Sequence, residues 1–556
     1  MTNKSLFSTT RARTKTAVAS TRNAAGGRAF DSSAKQALAQ ITATNCFNGT
    51  YYVDAKTNLD LAKQAALEVA KSDPEFLAKC AVYGRKKAYM KDMPAFLAVV
   101  LHEHDKELFR KVFPVVIDNG KQLRNFINMA RSGAVTGKKA NMSSGSIRHA
   151  IRDWFASKPS WVLFKASIGQ DPTMRDILRM ARPRPDSEEK AALYAYMKGA
   201  EFDEKEGVYR VWKRKNPSDK TSPLYLAHQH SFESLPQVVQ DYERFKASGG
   251  KGEVPRVDFR MVDHMLDDEQ WKDIARNAPW QMTQMNLNTF ERHGVFKDER
   301  LCEIVAERLR NPEAIEKARV FPYKLFNAYK NTSGVPMQVR DALQDAVDVS
   351  LNNVPKINGK VVVAVDTSGS MGCAVTGNRR GSTSNVRLLD QAVLFASALF
   401  RQNPHTKLVP FDTRTHQCDL NPRDTVFTNA EKLSRFGGGG TNCSLVLNEM
   451  NRRREKVDVV IYISDCESWV DSAYSWGYGQ GVGMLTEWEQ LKKHNPNAVL
   501  VCIDLTPRAN AQVQERPGIL QVGGFSDQVF DVVANFVEAG GESNNYWTDQ
   551  IDQVEL

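Results

Sequence analysis

Two hydrophobic patterns divide the chain. From about Asp31 to Ser350 apolar positions recur at helical spacing. Leu61, Ala62, Ala65, Ala66 and Val69 share one helix face, and Phe76, Leu77, Cys80 and Ala81 repeat it. Asp73-Pro74 reads as an N-cap followed by proline in the first turn, Asp92-Met-Pro94 precedes the run Phe96–Leu101, and Asn311-Pro312 opens a later helix. Short helices of roughly 12–16 residues between brief capped turns predict stacked helix pairs of the HEAT kind, without a clean sequence repeat. Residues 201–260, rich in Lys, Glu, Asp and Gly, read as helix pairs interrupted by exposed loops. Phe321–Tyr329 and Asp341–Leu351 read as the last two helices. After Val354 the pattern changes. Runs of β-branched residues at Val361–Val365, Thr406–Phe411, Val457–Ile463 and Ala498–Leu505 alternate with helical stretches at Leu388–Phe400, Ser444–Asn451, Met484–Lys493 and Asp527–Val537. Apolar runs without a polar face predict strands buried on both sides, in a doubly wound parallel sheet.

The first of those strands runs into Asp366-Thr-Ser368-Gly-Ser370, at the edge where open α/β sheets bind ligands. Gly437-Gly-Gly-Gly-Thr441 precedes a later helix, and the strand ending at Ile463 leads to Asp465. Asp366, Ser368, Ser370, Thr441 and Asp465 together supply hard oxygens suited to one divalent cation, with Mg²⁺ the first expectation. This order resembles the metal-ion-dependent adhesion site of von Willebrand factor A domains; the alternative reading is a turn that only caps a strand. An open coordination position would accept a partner's acidic oxygen. The glycine run lacks the lysine of a phosphate-binding loop. The ten histidines do not cluster, and no nucleophile–base order stands out, so no catalytic residue is assigned and the chain reads as a non-enzyme. The polar stretch from Gly372 to Asn385 reads as a mobile insertion beside the metal site.

Composition sharpens this. At 556 residues with 42% apolar content there is room for two or three cored domains. No apolar run approaches the roughly 20 residues of a membrane span. Eight scattered cysteines, with Cys80, Cys302 and Cys502 inside apolar runs, suggest neither disulfides nor zinc and fit a reducing cytoplasm. Residues 1–30 carry Lys4, Arg11, Arg13, Lys15, Arg22 and Arg28 among small polar residues and read as a disordered basic arm. The net charge of +10 is uneven: from Leu351 onward about 19 basic residues face about 23 acidic ones, leaving roughly +14 on residues 1–350. The helical half is therefore where a polyanion would bind, unless that charge is simply solvated. Two stretches concentrate it. One runs from Arg131 through a Gly/Ser loop with Lys138 and Lys139 into a helix start with Arg148, His149 and Arg152. The other holds Arg175, Arg179, Arg182 and Arg184. Arginine pairs with phosphate bidentately and stacks on bases, while Trp154 and Phe155 beside the first stretch also read as core.

A basic helical half joined to an A domain resembles the Ro autoantigen family, the TROVE-domain RNA-binding proteins. Local stretches agree: Cys46-Phe-Asn-Gly-Thr-Tyr-Tyr-Val, Ile147-Arg-His-Ala-Ile-Arg-Asp-Trp-Phe, Gly439-Gly-Thr-Asn-Cys-Ser-Leu, and Gly524-Phe-Ser-Asp with Asp531-Val-Val-Ala-Asn-Phe. The resemblance implies a ring of helical repeats over residues 31–353, closed by a von Willebrand factor A domain over 354–556. It implies that Y-like small RNAs bind an outer basic face through Lys138, Lys139, Arg148, His149, Arg152, Arg179, Arg182 and Arg184. It further implies that single-stranded 3′ ends of misfolded RNA enter a central hole, that the RNA complex holds a monomer, and that an exoribonuclease such as polynucleotide phosphorylase acts alongside in RNA quality control or stress. Two positions depart from the family: His149 stands where relatives carry lysine, and Arg182 where they carry histidine. Two other classes stay open. An adhesion-type protein would need a signal peptide, and a metal-dependent adaptor subunit leaves the basic half unexplained.

Overall fold

The computed structural model of the chain describes residues 21–22, 28–31, 33–44, 55–88, 90–142, 145–199, 201–203, 208–210, 229–317, 322–332, 334–351, 354, 356–374, 386–465, 483–506, 510–511, 517–523, 528–538, 540–541 and 546–556. They fall into two compact units. One comprises Ile41–Phe47, Leu59–Asn353 and Trp547–Leu556, the other Met1–Gln40, Asn48–Asn58 and Val354–Tyr546.

The first unit is a stack of short helices. One helix, α1 (Met93–His104), buries every residue from Met93 to His102 and is apolar throughout from Met93 to Leu101. A helix apolar all round belongs in a core. Helices Pro74–Lys86 and Lys106–Val116 flank it in sequence and pack against it, and α2 (Gly120–Ser132) packs on it from the next pair. The caps explain where these helices start. Asp73 Oδ1 accepts from Phe76 N at 3.0 Å with Pro74 in the first turn, and Asp105 Oδ1 accepts from Glu107 N and Leu108 N. Asn311 Oδ1 accepts from Ala314 N, whereas Asp92 makes no cap bond and holds Asn125 Nδ2 instead. Continuing the stack are α3 (Gly145–Ser157), α4 (Ser160–Ala166), α5 (Met174–Ala181) and α6 (Gln237–Ala247).

Residues 201–260 depart from the expected helix pairs. Glu201–Asp203, Val208–Arg210 and Gln229–Ser231 form a three-stranded antiparallel sheet, in which Phe202 pairs with Tyr209 and Tyr209 with His230. Three-residue strands carry too little alternation to stand out in a Lys- and Glu-rich background. The chain end departs as well. Helix Tyr546–Asp552 was expected within the A domain, yet from Trp547 on it groups with the helical unit. The Trp547 ring meets Tyr83 edge-on at 6.2 Å, and Lys79 Nζ donates to the Asp552 carbonyl at 2.9 Å.

The second unit holds five parallel strands: β1 (Val361–Asp366), β2 (Lys407–Phe411), β3 (Val459–Ser464), β4 (Val499–Asp504) and β5 (Ile519–Gly523), in the order β5-β4-β3-β1-β2. β1, β3 and β4 are buried at every position, as their unbroken apolar runs require. Helices α7 (Leu388–Gln402), α8 (Leu445–Arg452), Gly483–His494 and Gln528–Glu538 lie close to their expected spans. Helix Val426–Leu433 and strand β5 were not anticipated; β5 is short and carries Gln521 at its centre. Of the arm expected to be disordered, Thr21–Arg22 and Arg28–Asp31 are strands. They pair with each other, and Asp31 and Phe30 pair with Asn510 and Ala511. The partner strand lies some 480 residues away in sequence, so the arm's composition gave no sign of it. The remainder of the arm lies outside the described residues.

Candidate functional site

Strand order fixes the first site. The chain leaves β1 for β2 on one side and returns to β3 on the other, so the ends of β1 and β3 border the switch point where such sheets bind ligands. Asp366 ends β1, and Ser464 ends β3 just before Asp465. All five proposed metal-binding side chains are buried: Asp366, Ser368, Ser370, Thr441 and Asp465. Asp366 Oδ1 accepts from Ser368 N at 2.8 Å, Asp366 Oδ2 accepts from Ser464 Oγ, and the Ser368 and Ser370 hydroxyls are 3.2 Å apart. Burial, and then repulsion from Asp465, raise the Asp366 carboxyl well above the usual carboxylate range, against hydrogen bonds from Ser464 and Ser368.

The glycine run is there for close approach. Gly437 takes φ +113°, and a Cβ on it would sit 1.7 Å from the Thr367 carbonyl oxygen. Gly438 N donates to Thr367 O at 3.0 Å and Gly369 N to Gly439 O at 2.9 Å, so the glycine loop is laced to the Asp366–Ser370 turn. This lacing brings the segment ending in Thr441 onto the first loop. Two neighbours escaped the sequence reading: Ser464, and Asp412 at the end of β2. Asp412 is buried, its backbone carbonyl accepts from Asn442 N at 3.1 Å, and its Oδ1 lies 3.2 Å from His416 Nε2. Ser464 is detectable as the hydroxyl next to a strand-end carboxylate; Asp412 gives no local signal.

The donor set fits a hard divalent cation. Two buried carboxylates that repel each other, with three buried hydroxyls beside them, are an arrangement a cation would relieve. Among the described residues no group of three or more His, Cys, Asp or Glu gathers as a metal cluster, so a softer, nitrogen- or sulfur-rich site is not formed there. Most of the insertion expected beside this site, residues 375–385, lies outside the described residues.

The second site lies in the helical unit. α3 buries Ile147, Ile151, Trp154 and Phe155, so these aromatics are core. Arg152 Nε donates to the Ala181 carbonyl at 2.8 Å, at the end of α5. That bond joins the two arginine clusters into one surface. Of the basic residues read from the sequence, Lys138, Lys139, His149, Arg179, Arg182 and Arg184 are exposed, while Arg148 and Arg152 are half-buried. Arg182 takes a left-handed φ of 52° as it ends α5. Arg131, at the end of α2, also reaches this surface: its charge and that of Arg179 help hold the Asp176 carboxyl low, after the Thr173 hydroxyl bond that contributes most. It opens the same basic stretch that continues to Lys138 and Lys139. Under the start of α3, His102 Nε2 lies 2.8 Å from Ser146 Oγ.

The family model for the TROVE domain matches residues 30–254 and 266–363, more than half of the chain, and that for the Ro60 vWA domain matches 360–537. The chain belongs to the TROVE family. It is 23% identical over 540 residues to a Deinococcus radiodurans protein named RNA-binding protein RO60, covering 93% of this chain and 94% of that one. It is 21% identical over 492 residues to the Caenorhabditis elegans RNA-binding protein RO60, covering 78% and 72%. Among solved structures it resembles the Deinococcus radiodurans RO (RSR) protein, with a TM-score of 0.61 at 17% identity, over 91% of this chain and all of that one. That likeness bears on the fold: short stacked helices and a vWA-type sheet, as the sequence pattern predicted. Both candidate sites fall within the matched TROVE and vWA segments. Among the described residues, no helix is long and apolar enough to cross a membrane.

Proposed function

We propose that this TROVE-family chain is a non-catalytic RNA-binding protein. It holds structured, Y-like small RNAs on the surface shared by α3, α5 and the Lys138–Lys139 loop, and takes frayed single-stranded ends of misfolded RNAs, working beside an exoribonuclease. The single observation that carries this reading is the Arg152–Ala181 bond, which merges two basic stretches into one exposed cationic surface. That two relatives are named RNA-binding proteins supports the same ligand class. In the vWA domain, Asp366, Ser368, Ser370 and Thr441 would hold one Mg²⁺ directly, with Asp465 acting through water. When bound, the ion supplies a Lewis-acid docking point for a partner's carboxylate.

The test is a gel-shift series with a structured small RNA at fixed salt. Lys138→Glu, Lys139→Glu and Arg179→Glu combined weaken binding by well over tenfold. They also flatten the salt dependence, since each lost phosphate contact removes about 0.7–0.9 from the log–log slope. Arg152 is kept, because its bond to Ala181 is part of the fold. Unchanged affinity and slope in the triple variant would rule out this face.

A further inference from the structure

We infer that Trp161 is a stacking platform for an unpaired RNA base, with Lys158 and Lys165 neutralising the flanking phosphates. This rests on the RNA-binding reading above and adds a site outside the surface assigned there.

α4 turns Leu163, Phe164 and Ala166 inward and leaves Trp161 59% exposed. The tryptophans Trp154, Trp271, Trp280, Trp488 and Trp547 are all buried. Among the described residues the other large exposed apolar side chains are Met285, Met337 and Leu556, so Trp161 is the one aromatic in that set. The helix is anchored without it. Phe164 packs against Tyr196 and Tyr242, and Arg124 Nη1 donates to the Ala166 carbonyl at 2.8 Å.

The surroundings point to the kind of ligand. Lys165, four residues on, lies on the same face of α4 and is exposed. Lys158 lies just before the helix, with its ammonium 5.9 Å from the Trp154 ring centre. The charge of Lys165 adds slightly to holding the Asp258 carboxyl low, after the larger contribution of Arg260, which takes that carboxylate at two points, 2.9 and 2.7 Å. The patch is an exposed indole with Lys165 on the same helix face and Lys158 just before the helix. A protein-docking surface needs contiguous apolar area of some hundreds of Å², and the neighbours here are lysines. An unpaired nucleotide matches both features, a π-face for the ring and an anion on each side.

The place of the patch suggests a division from the basic surface. α3 has 13 residues, about 20 Å of helix; Arg148 lies near its first turn and Trp161 just past its last. A base-paired RNA held near Arg148 has no free base to offer Trp161, whereas a single-stranded segment does.

The experiment uses the full-length protein and fluorescence anisotropy with two labelled probes, a single-stranded oligouridine 15-mer and a blunt RNA duplex. Trp161→Ala and Trp161→Leu weaken single-strand binding about 5- to 150-fold, equivalent to about 1–3 kcal/mol. Trp161→Phe stays near wild type, and duplex binding changes in none of them. Because Trp161 is exposed, the three variants keep the fold, which circular dichroism checks. If Trp161→Leu binds as wild type, the contact is apolar and stacking is refuted. If Trp161→Ala binds the single strand as wild type while the Lys138, Lys139 and Arg179 triple variant has lost RNA, this inference fails and the RNA-binding reading stands. If wild type binds neither probe, both fall.

Discussion

Replacing His102 by Phe separates a structural from a titrating role at the base of the basic surface. His102 is 7% exposed, meets Phe109 edge-on at 5.1 Å, and places Nε2 2.8 Å from the Ser146 hydroxyl that opens α3. Its Nδ1 lies 3.2 Å from Glu103 Oε1. Burial lowers the imidazole's affinity for a proton, the Glu103 bond and charge work against that, and Lys106 adds a smaller push in the same direction as burial. The folded chain thus keeps His102 neutral below the pH at which the unfolded chain protonates it. The stabilisation is fully present above about pH 6.5 and is lost as pH falls from there toward the lowered folded pKa, at up to about 1.4 kcal/mol per pH unit. His102→Phe keeps the ring contact and removes both the titration and the partner of a buried hydroxyl, at a cost of about 1–3 kcal/mol at pH 7.5. Because a chain of two units does not unfold in one step, the readout is amide hydrogen exchange over residues 93–104 and 145–157. Wild type and variant are compared at each pH, so the intrinsic exchange rate cancels. The gap between them narrows from pH 7.5 to 5.5. A gap independent of pH would show that His102 titrates as in the unfolded chain; no gap at pH 7.5 would remove the Ser146 bond from the account.

Two further outcomes concern the vWA site. Mg²⁺ at 100 times its dissociation constant stabilises the wild-type protein by about 2.7 kcal/mol, and Asp366→Asn abolishes that shift in a thermal melt while leaving RNA affinity near normal. An equal shift in the variant would place the ion elsewhere. Gly437→Ala forces a Cβ to within 1.7 Å of the Thr367 carbonyl at a φ of +113°. The loop moves away, at a cost of about 1–3 kcal/mol, and calorimetry finds weaker Mg²⁺ binding even though no proposed ligand has changed.

Much of this architecture was legible in the sequence because long-range order there coincides with local pattern. β1, β3 and β4 are buried on both faces, so their apolar runs announced them, and Asp366 and Asp465 follow from being the residues at which those runs stop. The caps at Asp73 and Asn311 are likewise written in two adjacent residues. What stayed hidden depends on partners distant along the chain. Asp412 joins the rim of the proposed metal site through Asn442, the strand at Arg28–Asp31 pairs with Asn510–Ala511, and Trp547 is buried against a helix more than 460 residues earlier. No window of neighbouring residues carries that information.

The basic surface is the instructive case, because there one residue type serves two roles. A stack of short helices ends often, and each end leaves carbonyl groups without intrahelical partners. Arginines of neighbouring helices fill that need. Arg124 donates to the Ala166 and Ile168 carbonyls, Arg152 to Ala181, and Arg308 to Ala275 and Arg276. Burial lowers the proton affinity of Arg124 and Arg308, as expected of cations committed to the interior. Part of the positive charge that marks the helical half as a polyanion binder is thus spent holding helices together, and a net-charge count cannot separate the two uses. Exposure can. Lys138, Lys139, Arg179, Arg182 and Arg184 face solvent, whereas Arg152 ties α3 to the end of α5. A cation whose donors already serve the backbone positions the surface, and one whose donors reach solvent is left to meet phosphate.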